Sequence, residues 1–325
     1  MKGDIIMRDT NYAYCVARVR AAESKMLSED DFSRLKGFKN TFEAIRFLKE
    51  KGWTSSDKDN IREVISFEKE NLWKLLNESV PDKNELGVLC TLNDFFNIKA
   101  AVKCLLTDTP FENYIMMPTT LDVALLKDNL LKRDFYAAFK DKGETAEKAY
   151  NTAVKSESGQ STEIIIDRAA IDYMARYGEN IDDKVTSKVC SFISDTSNIK
   201  IALRCVLTGK DESFINEAIG LCRSLSREKL VASAIKGKDE LYAYLDTTAY
   251  KDGAKLFEKS FSDFEKWCDE RLIEIASESR YTSFSFSPVC CYYYKKLTEI
   301  KNVNMILSII SAFSESVERQ GEADV

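Results

Sequence analysis

Residues 94–108 read DFFNIKAAVKCLLTD, and two similar stretches occur further along the chain. Residues 195–209 read DTSNIKIALRCVLTG, and residues 299–313 read EIKNVNMILSIISAF. We call these stretches marker segments 1, 2 and 3; they begin 101 and then 104 residues apart. A repeat of this length indicates that the chain is built from similar units that follow one another in sequence.

Each marker segment has the pattern of an amphipathic helix. An acid begins the segment, an asparagine follows three residues later, and apolar side chains recur at steps of three and four. These steps place the apolar side chains on one stripe, and they place the acid and the asparagine on neighbouring turns of one face. The acid–asparagine pairs are Asp94/Asn97, Asp195/Asn198 and Glu299/Asn302. We expect each pair to hydrogen-bond an adjoining helix and fix its register; contact with another protein is the alternative.

The composition predicts an all-α protein with long helices. Among 325 residues, 44% are hydrophobic, and only 12 are glycine and 4 are proline, so turn-forming residues are scarce. The net charge of −6 argues against nucleic acid or an anionic lipid surface as the main partner. No apolar run approaches the ~18 residues of a spanning helix, and the first residues lack the apolar region of a signal peptide. We therefore expect a soluble cytoplasmic protein without a transmembrane segment.

The cysteines indicate a reducing compartment. Their number is odd and their spacing includes no C-x-x-C motif; they are Cys15, Cys90, Cys104, Cys190, Cys205, Cys222, Cys268, Cys290 and Cys291. Cys104 and Cys205 occupy the same position in marker segments 1 and 2. We predict that these two are small core residues and not metal ligands.

The sequence contains no histidine, which removes many catalytic arrangements. Ser-His-Asp and Cys-His nucleophiles, histidine-ligated zinc and the usual histidine proton shuttle near neutral pH are all excluded. Neither a G-x-x-x-x-G-K-[ST] nor a G-x-G-x-x-G motif is present. None of the 53 acids is singled out as a catalytic pair. We predict no catalytic, metal-binding or cofactor-binding residue, no cofactor and no direct nucleotide binding; residues that bind a partner are not identified.

The pattern of helices repeats along with the marker segments. The predicted units are 1–112, 113–212 and 213–314, followed by an acidic, polar and frayed tail at 315–325. Ser28 is predicted to cap a short helix in a capping-box variant with acids at the helix start. A linker-like stretch at 155–161 is predicted to be an exposed loop, and 257–276 is predicted to be one helix.

Several short motifs together resemble one family over nearly the whole chain. They are Tyr12-x-Tyr14, ARVRA at 17–21, KMLS at 25–28, Glu43-Ala44, RFL at 46–48, the N-I-K triplets at Asn97 and Asn198, and Glu299-x-x-Asn302. The set resembles the family of the C-type central-stalk protein of archaeal and bacterial V-type ATPases, whose eukaryotic counterpart is designated d. Marker segment 3 departs from the other two, because Asn304 and Ser308 replace the basic pairs Lys99/Lys103 and Lys200/Arg204.

The resemblance implies an all-α fold of three similar helical repeat units around a pseudo-threefold axis, shaped as a funnel. It implies a non-catalytic central-stalk subunit that joins the soluble rotor shaft to the membrane proteolipid ring and transmits torque. The expected partners are the D-type and F-type rotor subunits and that ring. The expected location is the cytoplasmic face of the membrane, as a peripheral part of the complex.

Two other functions stay open on the residues alone. One is a generic helical-repeat adaptor for other proteins, although solenoid repeats are usually shorter than this period. The other is an enzyme that uses only carboxylates or cysteines, in which a catalytic thiol would react much faster than a buried one.

Overall fold

The protein is helical in the part of the chain that the structure describes. A computed structural model describes the backbone of residues 2–55, 57, 59–155, 159–282 and 284–323, and the side chains of the same ranges except 2–11, 112–113 and 315–323. The helices are α1 (Lys2–Glu23), α2 (Glu29–Lys36), α3 (Thr41–Glu50), α4 (Ile61–Ser79), α5 (Gly87–Thr107), α6 (Val123–Leu131), α7 (Phe135–Phe139), α8 (Gly143–Lys155), α9 (Gly159–Asn180), α10 (Lys184–Leu207), α11 (Glu212–Ala218), α12 (Arg227–Lys236), α13 (Lys238–Asp246), α14 (Lys251–Lys259), α15 (Phe261–Ser277) and α16 (Ser287–Ala323). No β-strand occurs within the described ranges, and the all-α prediction is confirmed.

The helices divide into two compact units. The terminal unit contains residues 1–83 and 276–325, and the central unit contains residues 84–275. The predicted repeat boundaries after residues 112, 212 and 314 rest on sequence similarity and not on contacts, and they stay a prediction.

The terminal unit is organised around α16, which packs against α1, α2, α3 and α4. Val303 and Leu307 of α16 are fully buried, as are Leu48 of α3 and Leu76 of α4. Burying an aliphatic side chain of this size contributes roughly 1.5–3 kcal/mol. The unit therefore depends on residues from both ends of the chain.

The central unit contains two apolar clusters, each with one marker segment in it. Ile98 and Val102 of α5 pack in a cluster that α6 to α9 complete. Ile199 and Leu203 of α10 pack in a cluster with residues of α11 to α15. Cys104 and Cys205 are buried, one in each cluster, which confirms their prediction as core residues.

Side-chain caps begin the short helices α2, α6 and α12. Ser28 Oγ accepts a 3.2 Å hydrogen bond from the N–H of Asp31, and Asp31 Oδ2 accepts one of 3.1 Å from the N–H of Ser28. The predicted capping box at α2 is therefore confirmed. Asp122 caps α6 and Ser226 caps α12 in the same sense, because each side-chain oxygen satisfies backbone N–H groups of the first turn.

Three local predictions need correction. In the predicted loop at 155–161, residue 155 ends α8 and residues 159–161 begin α9; residues 156–158 lie outside the described residues. The single helix predicted at 257–276 is broken at Ser260, whose backbone is extended and whose Oγ accepts from the N–H of Ser262 at 3.0 Å. The tail predicted to fray is helical through Ala323, in keeping with the high helix propensity of Glu, Arg, Gln and Ala.

Candidate functional site

The acid of marker segment 1 is fully buried and bound to the segment that precedes α6. Asp94 Oδ1 accepts a hydrogen bond from the N–H of Thr120 at 2.9 Å, and the hydroxyls of Thr119 and Thr120 donate one each to the same carboxylate. These donors replace the hydrogen bonds to water that a carboxylate loses when it is buried. Asp94 therefore fixes the position of the backbone just before the cap of the next helix.

Lys142 supplies the counter-charge to Asp94. Its Nζ lies 3.4 Å from Asp94 Oδ2, and both side chains are buried. Burial alone lowers the pKa of Lys142, but the carboxylates of Asp94 and Asp141 outweigh this effect and the pKa is raised. The ammonium also lies 4.8 Å from the centre of the Tyr173 ring, a cation–π distance. Lys142 therefore keeps its proton near neutral pH.

Asn97 binds the same connecting segment from the next turn of α5. Its Nδ2 donates to the carbonyl of Met116 at 3.0 Å, and its Oδ1 accepts from the N–H of Met116 at 2.7 Å. Asn93 donates to the carbonyl of Pro118 at 2.9 Å. The predicted acid–asparagine pair does act on a neighbouring segment, but its partner is a loop and not a helix.

Marker segment 2 repeats this arrangement with different residues. Asp195 accepts hydrogen bonds from the N–H groups of Arg223 and Ser224, both at 2.8 Å, and from the Ser224 hydroxyl. The Tyr250 hydroxyl donates to Asp195 at 3.0 Å, and burial together with this carboxylate raises the pKa of Tyr250. Asp195 is thus bound to the segment that precedes α12.

Asn198, like Asn97 in marker segment 1, hydrogen-bonds the backbone of a nearby loop. Its Oδ1 accepts from the N–H of Gly220 at 2.8 Å, and its Nδ2 donates to the carbonyl of Leu221 at 2.9 Å. Gly220 is required at this point, because a Cβ there would lie 2.7 Å from Asp172 Oδ1 and 3.0 Å from the Ile171 side chain. The loop therefore approaches its neighbours more closely than a side chain would allow.

The acid of marker segment 3 is bound to the start of the chain. Glu299 Oε1 accepts from the N–H of Leu27 at 2.6 Å, and Oε2 accepts from Trp53 Nε1 at 2.7 Å and from Lys296 Nζ at 2.6 Å. Asn302 is half-buried, and it makes no matching pair of backbone bonds with the described part of the chain. Only the acid of the third pair therefore has the predicted anchoring role.

The three acids share one geometric relation to the elements they bind. Each accepts from a backbone N–H one or two residues before a cap: Thr120 before Asp122, Ser224 before Ser226, and Leu27 before Ser28. Each acid also binds one side chain that lies just after the second helix beyond that loop. These side chains are Lys142 after α7, Tyr250 after α13, and Trp53 after α3. The sequence pattern identified the acids but missed these partners, because Lys, Tyr and Trp have no common signature.

A second buried acid shares Lys296 in the terminal unit. Glu68 lies 3.6 Å from Lys296 Nζ, and burial raises the pKa of Glu68 although this ammonium opposes the shift. A cleft of roughly 530 Å³ borders both residues, and Arg18 and Lys25 also line it. Three of its charged lining side chains are basic and one is acidic.

Burial keeps several of the thiols protonated. Burial raises the pKa of Cys15 to about 11 and the pKa values of Cys190 and Cys268 to about 12. Cys222 is only half-buried, but its pKa is also raised to about 12, first by burial and then by Asp195. A thiol that stays protonated is a poor nucleophile. Among the described residues, no group of three or more acids or cysteines is arranged to hold a metal ion.

A membrane span would require a helix that is both long and apolar. None of the helices within the described residues is long enough and apolar enough to cross a bilayer.

Comparison with known proteins finds a match over most of the chain. The family model described as "ATP synthase (C/AC39) subunit" matches residues 15–316. The chain is 24% identical over 330 residues to the C-type subunit of the A-type ATP synthase of Thermococcus kodakarensis. The aligned region covers 94% of this chain and 88% of that protein. The chain is 23% identical to the corresponding A-type ATP synthase subunit from Desulfurococcus sp., with the same coverage of both chains. It is 20% identical to the C-type subunit of the V-type sodium ATPase of Enterococcus hirae, over 75% of each chain.

Proposed function

The chain belongs to the ATP synthase (C/AC39) subunit family, and we propose that it is the non-catalytic coupling subunit of a rotary V/A-type ATPase. In this role it joins the soluble central stalk to the membrane proteolipid ring and transmits torque between them. Its partners are then rotor subunits of the D and F type and the ring, on the cytoplasmic face of the membrane. The full-length similarity to C-type subunits of such ATPases supports the assignment.

The observation that supports a mechanical role most strongly is the set of three buried acids. Each acid ties a long helix to the loop that begins the next short helix, so each helix and the following loop must move together. Breaking such a contact leaves a charge or backbone groups buried without partners, which costs roughly 3–5 kcal/mol for a buried ion pair. A part that transmits torque needs connections of this stiffness.

The order of the contacts supports three similar units joined in a cycle. Asp94 of α5 binds the loop before α6, Asp195 of α10 binds the loop before α12, and Glu299 of α16 binds the loop before α2. The last unit thus contacts the first in the same sense as each unit contacts its successor. We infer three helical repeats around a pseudo-threefold axis, and the funnel shape that the family resemblance implies belongs to this proposal.

Purification tests the proposal directly. An affinity tag on the full chain should recover the V/A-type ATPase of the same cells, with its catalytic subunits, its rotor subunits and its proteolipid ring, and with ATP hydrolysis in the eluate. A generic adaptor would instead recover proteins unrelated to ATP hydrolysis. Recovery of the chain without any ATPase subunit would refute the proposed function.

The absence of a catalytic role is tested in the same preparation. The purified chain alone should neither hydrolyse ATP nor bind it in an equilibrium dialysis experiment. Hydrolysis by the isolated chain, at a rate that follows its concentration through purification, would contradict a non-catalytic role.

A further inference from the structure

Helices α1, α4 and α16 pack against one another in the terminal unit, and residues of all three line one cleft. Its volume of roughly 530 Å³ lies within the range of sites that hold small organic molecules, about 300–1,000 Å³. Trp53, Leu72 and Leu75 give it apolar walls. The cleft is therefore large enough for a ligand, and its polar lining decides which kind.

Tyr292 of α16 lines the cleft, and its hydroxyl has no hydrogen-bond partner in the described part of the chain. The residue is only 5% exposed. Burial, and then the carboxylates of Glu299, Glu68 and Glu23, raise the pKa of this hydroxyl, so it keeps its proton near neutral pH. A buried hydroxyl without a partner is costly. It therefore points to a polar ligand that supplies the missing hydrogen bond.

Glu68 gives the cleft a buried carboxylate that is incompletely neutralised. Lys296 Nζ lies 2.6 Å from Glu299 Oε2 but 3.6 Å from Glu68 Oε2, so two acids share one ammonium unequally. All three residues are at most 8% exposed. Burial raises the pKa of Glu68, although Lys296, Thr54 and Asn71 oppose the shift. A further cation beside a buried carboxylate stabilises it, so this end of the cleft favours an ammonium group.

Arg18 of α1 lies towards the other end of the cleft. Its Nη2 is 3.3 Å from Glu78 Oε2. Glu78 follows Glu68 by ten residues on α4, which is roughly 15 Å along the helix axis. A guanidinium group has five N–H donors, so the contact with Glu78 leaves donors for a second acid. Because guanidinium groups bind carboxylates through paired hydrogen bonds, this end favours a carboxylate.

The charges of the cleft disfavour a ligand of one sign. Three charged lining residues are basic and only Glu68 is acidic, so a ligand with positive charge alone is repelled along most of the cleft. A ligand with negative charge alone is repelled by Glu68 and does not neutralise it. A molecule that carries both charges, separated by an apolar body, matches both ends and the walls between them.

We propose that the cleft binds a small zwitterion with an ammonium group and a carboxylate at opposite ends of an apolar body, as in an ω-amino acid. The ammonium donates to the Glu68 carboxylate and to the Tyr292 hydroxyl oxygen. The carboxylate accepts from Arg18, and the apolar body lies on Leu72 and Leu75. The inference does not depend on the proposed function, because the site lies within the terminal unit and is tested on the chain alone.

Calorimetric titration of the purified full chain with three probes of equal chain length tests the charge pattern. ε-Aminocaproate carries both charges, hexylamine only the positive one and caproate only the negative one. We expect ε-aminocaproate to bind, and each of the other two to bind about tenfold more weakly or less, because each lacks one charge-assisted contact. Failure of ε-aminocaproate to bind would overturn the proposal. Equal affinity for caproate or for hexylamine would overturn it as well.

Tyr292→Phe separates ligand binding from stability. The hydroxyl has no partner among the described residues, so the variant should melt no lower than the unchanged chain, yet it should bind ε-aminocaproate about fivefold more weakly. Tyr281→Phe is the matched control, because Tyr281 is 83% exposed and does not line the cleft. It should bind and melt as the unchanged chain does. Unchanged affinity in Tyr292→Phe would contradict the role of this hydroxyl.

Glu68→Gln keeps the size of the side chain and removes its negative charge. The variant should bind ε-aminocaproate about tenfold more weakly and should no longer prefer it to caproate. Glu70→Gln, on the exposed side of the same helix, should change neither property. If Glu68→Gln keeps the full preference for ε-aminocaproate, the ammonium group does not bind at Glu68 and the proposal is wrong.

Discussion

The carboxylate of Glu299 accepts a 2.6 Å hydrogen bond from the backbone N–H of Leu27, which lies 272 positions earlier in the chain. The same carboxylate also binds Trp53 and Lys296. The terminal unit is therefore fastened by a contact between its first and last segments. That contact forms only after α16 has been synthesised, so the first helices gain their full stability late.

Glu299→Ala is expected to destabilise the terminal unit strongly. After the substitution, the buried Lys296 keeps only the carboxylate of Glu68, at 3.6 Å, as an acidic partner. The N–H of Leu27 also loses its acceptor. Loss of one partner of a buried ion pair costs about 3 kcal/mol or more. Urea denaturation followed by circular dichroism measures the loss.

Glu63→Ala on the exposed side of α4 is the control for that experiment, and it should change the free energy of unfolding by less than about 0.5 kcal/mol. Equal stabilities of the two variants would show that the Glu299 contact does not fasten the unit.

The three marker asparagines are expected to differ in their contribution to stability. Asn97→Ala removes two hydrogen bonds to loop backbone and Asn198→Ala removes at least two. Each buried group that is left unsatisfied costs roughly 1–3 kcal/mol. Asn302 makes no matching pair of bonds with the described residues, so Asn302→Ala should cost less than about 1 kcal/mol. Thermal denaturation of the three variants gives the order. A loss at Asn302 as large as that at Asn97 would contradict the assigned contacts.

At acid pH, the free energy of unfolding should depend on the protonation of Asp31. Hydrogen bonds from Lys51 and then from Ser28 lower the pKa of Asp31 from 3.8 to about 2. The folded pKa is the lower one, so the stabilisation is complete above the unfolded value and is lost as the pH falls through the folded value. The stability difference between the unchanged chain and Asp31→Asn should therefore shrink between about pH 4 and about pH 2.

Urea midpoints of the two proteins across that interval measure the difference. A gap between them that stays constant down to the lowest pH would mean that the Asp31 carboxylate does not have its depressed pKa in the folded protein.

The thiols are expected to react slowly in the folded protein. Burial raises the pKa of Cys15 to about 11 and that of Cys190 to about 12, so very little thiolate is present near neutral pH. Labelling with a chromogenic disulfide should proceed at the rate of unfolding and should accelerate in urea. Rapid reaction of a cysteine in the folded protein would contradict this prediction and would support a cysteine-dependent enzyme.

The anchoring acids are predictable from the sequence because their positions obey helical periodicity. Asp94 and Asp195 lie at the same point of two similar helices, and a polar residue on an otherwise apolar stripe indicates a buried contact. Ser28 is predictable as a cap for a similar reason, since capping depends on residues only three positions apart.

The partners of the acids could not be predicted, because they depend on loops of unequal length. Asn97 reaches Met116 across 19 residues, whereas Asn198 reaches Gly220 across 22. Because the two separations differ by three residues, a comparison that assumes equal spacing does not align the two loops. The hydroxyls of Thr120 and Ser224 are the exception, because each precedes a cap by two residues and an alignment of the caps reveals them.

The break between α14 and α15 escapes prediction for a different reason. The apolar periodicity continues across Ser260, so pattern alone favours one helix from 257 to 276. Local hydrogen bonding by the serine side chain competes with the helix at this point. Periodicity reports which face is buried, and it does not report where a side chain ends the helix.

Ion transport by reconstituted membranes tests the coupling role most directly. The complete ATPase and a complex purified without this chain are each placed in vesicles, and ion uptake is measured per ATP hydrolysed. We predict that the complex without the chain hydrolyses ATP but transports no ions, and that adding the purified chain restores transport. Uptake per ATP that is the same with and without the chain would contradict the account.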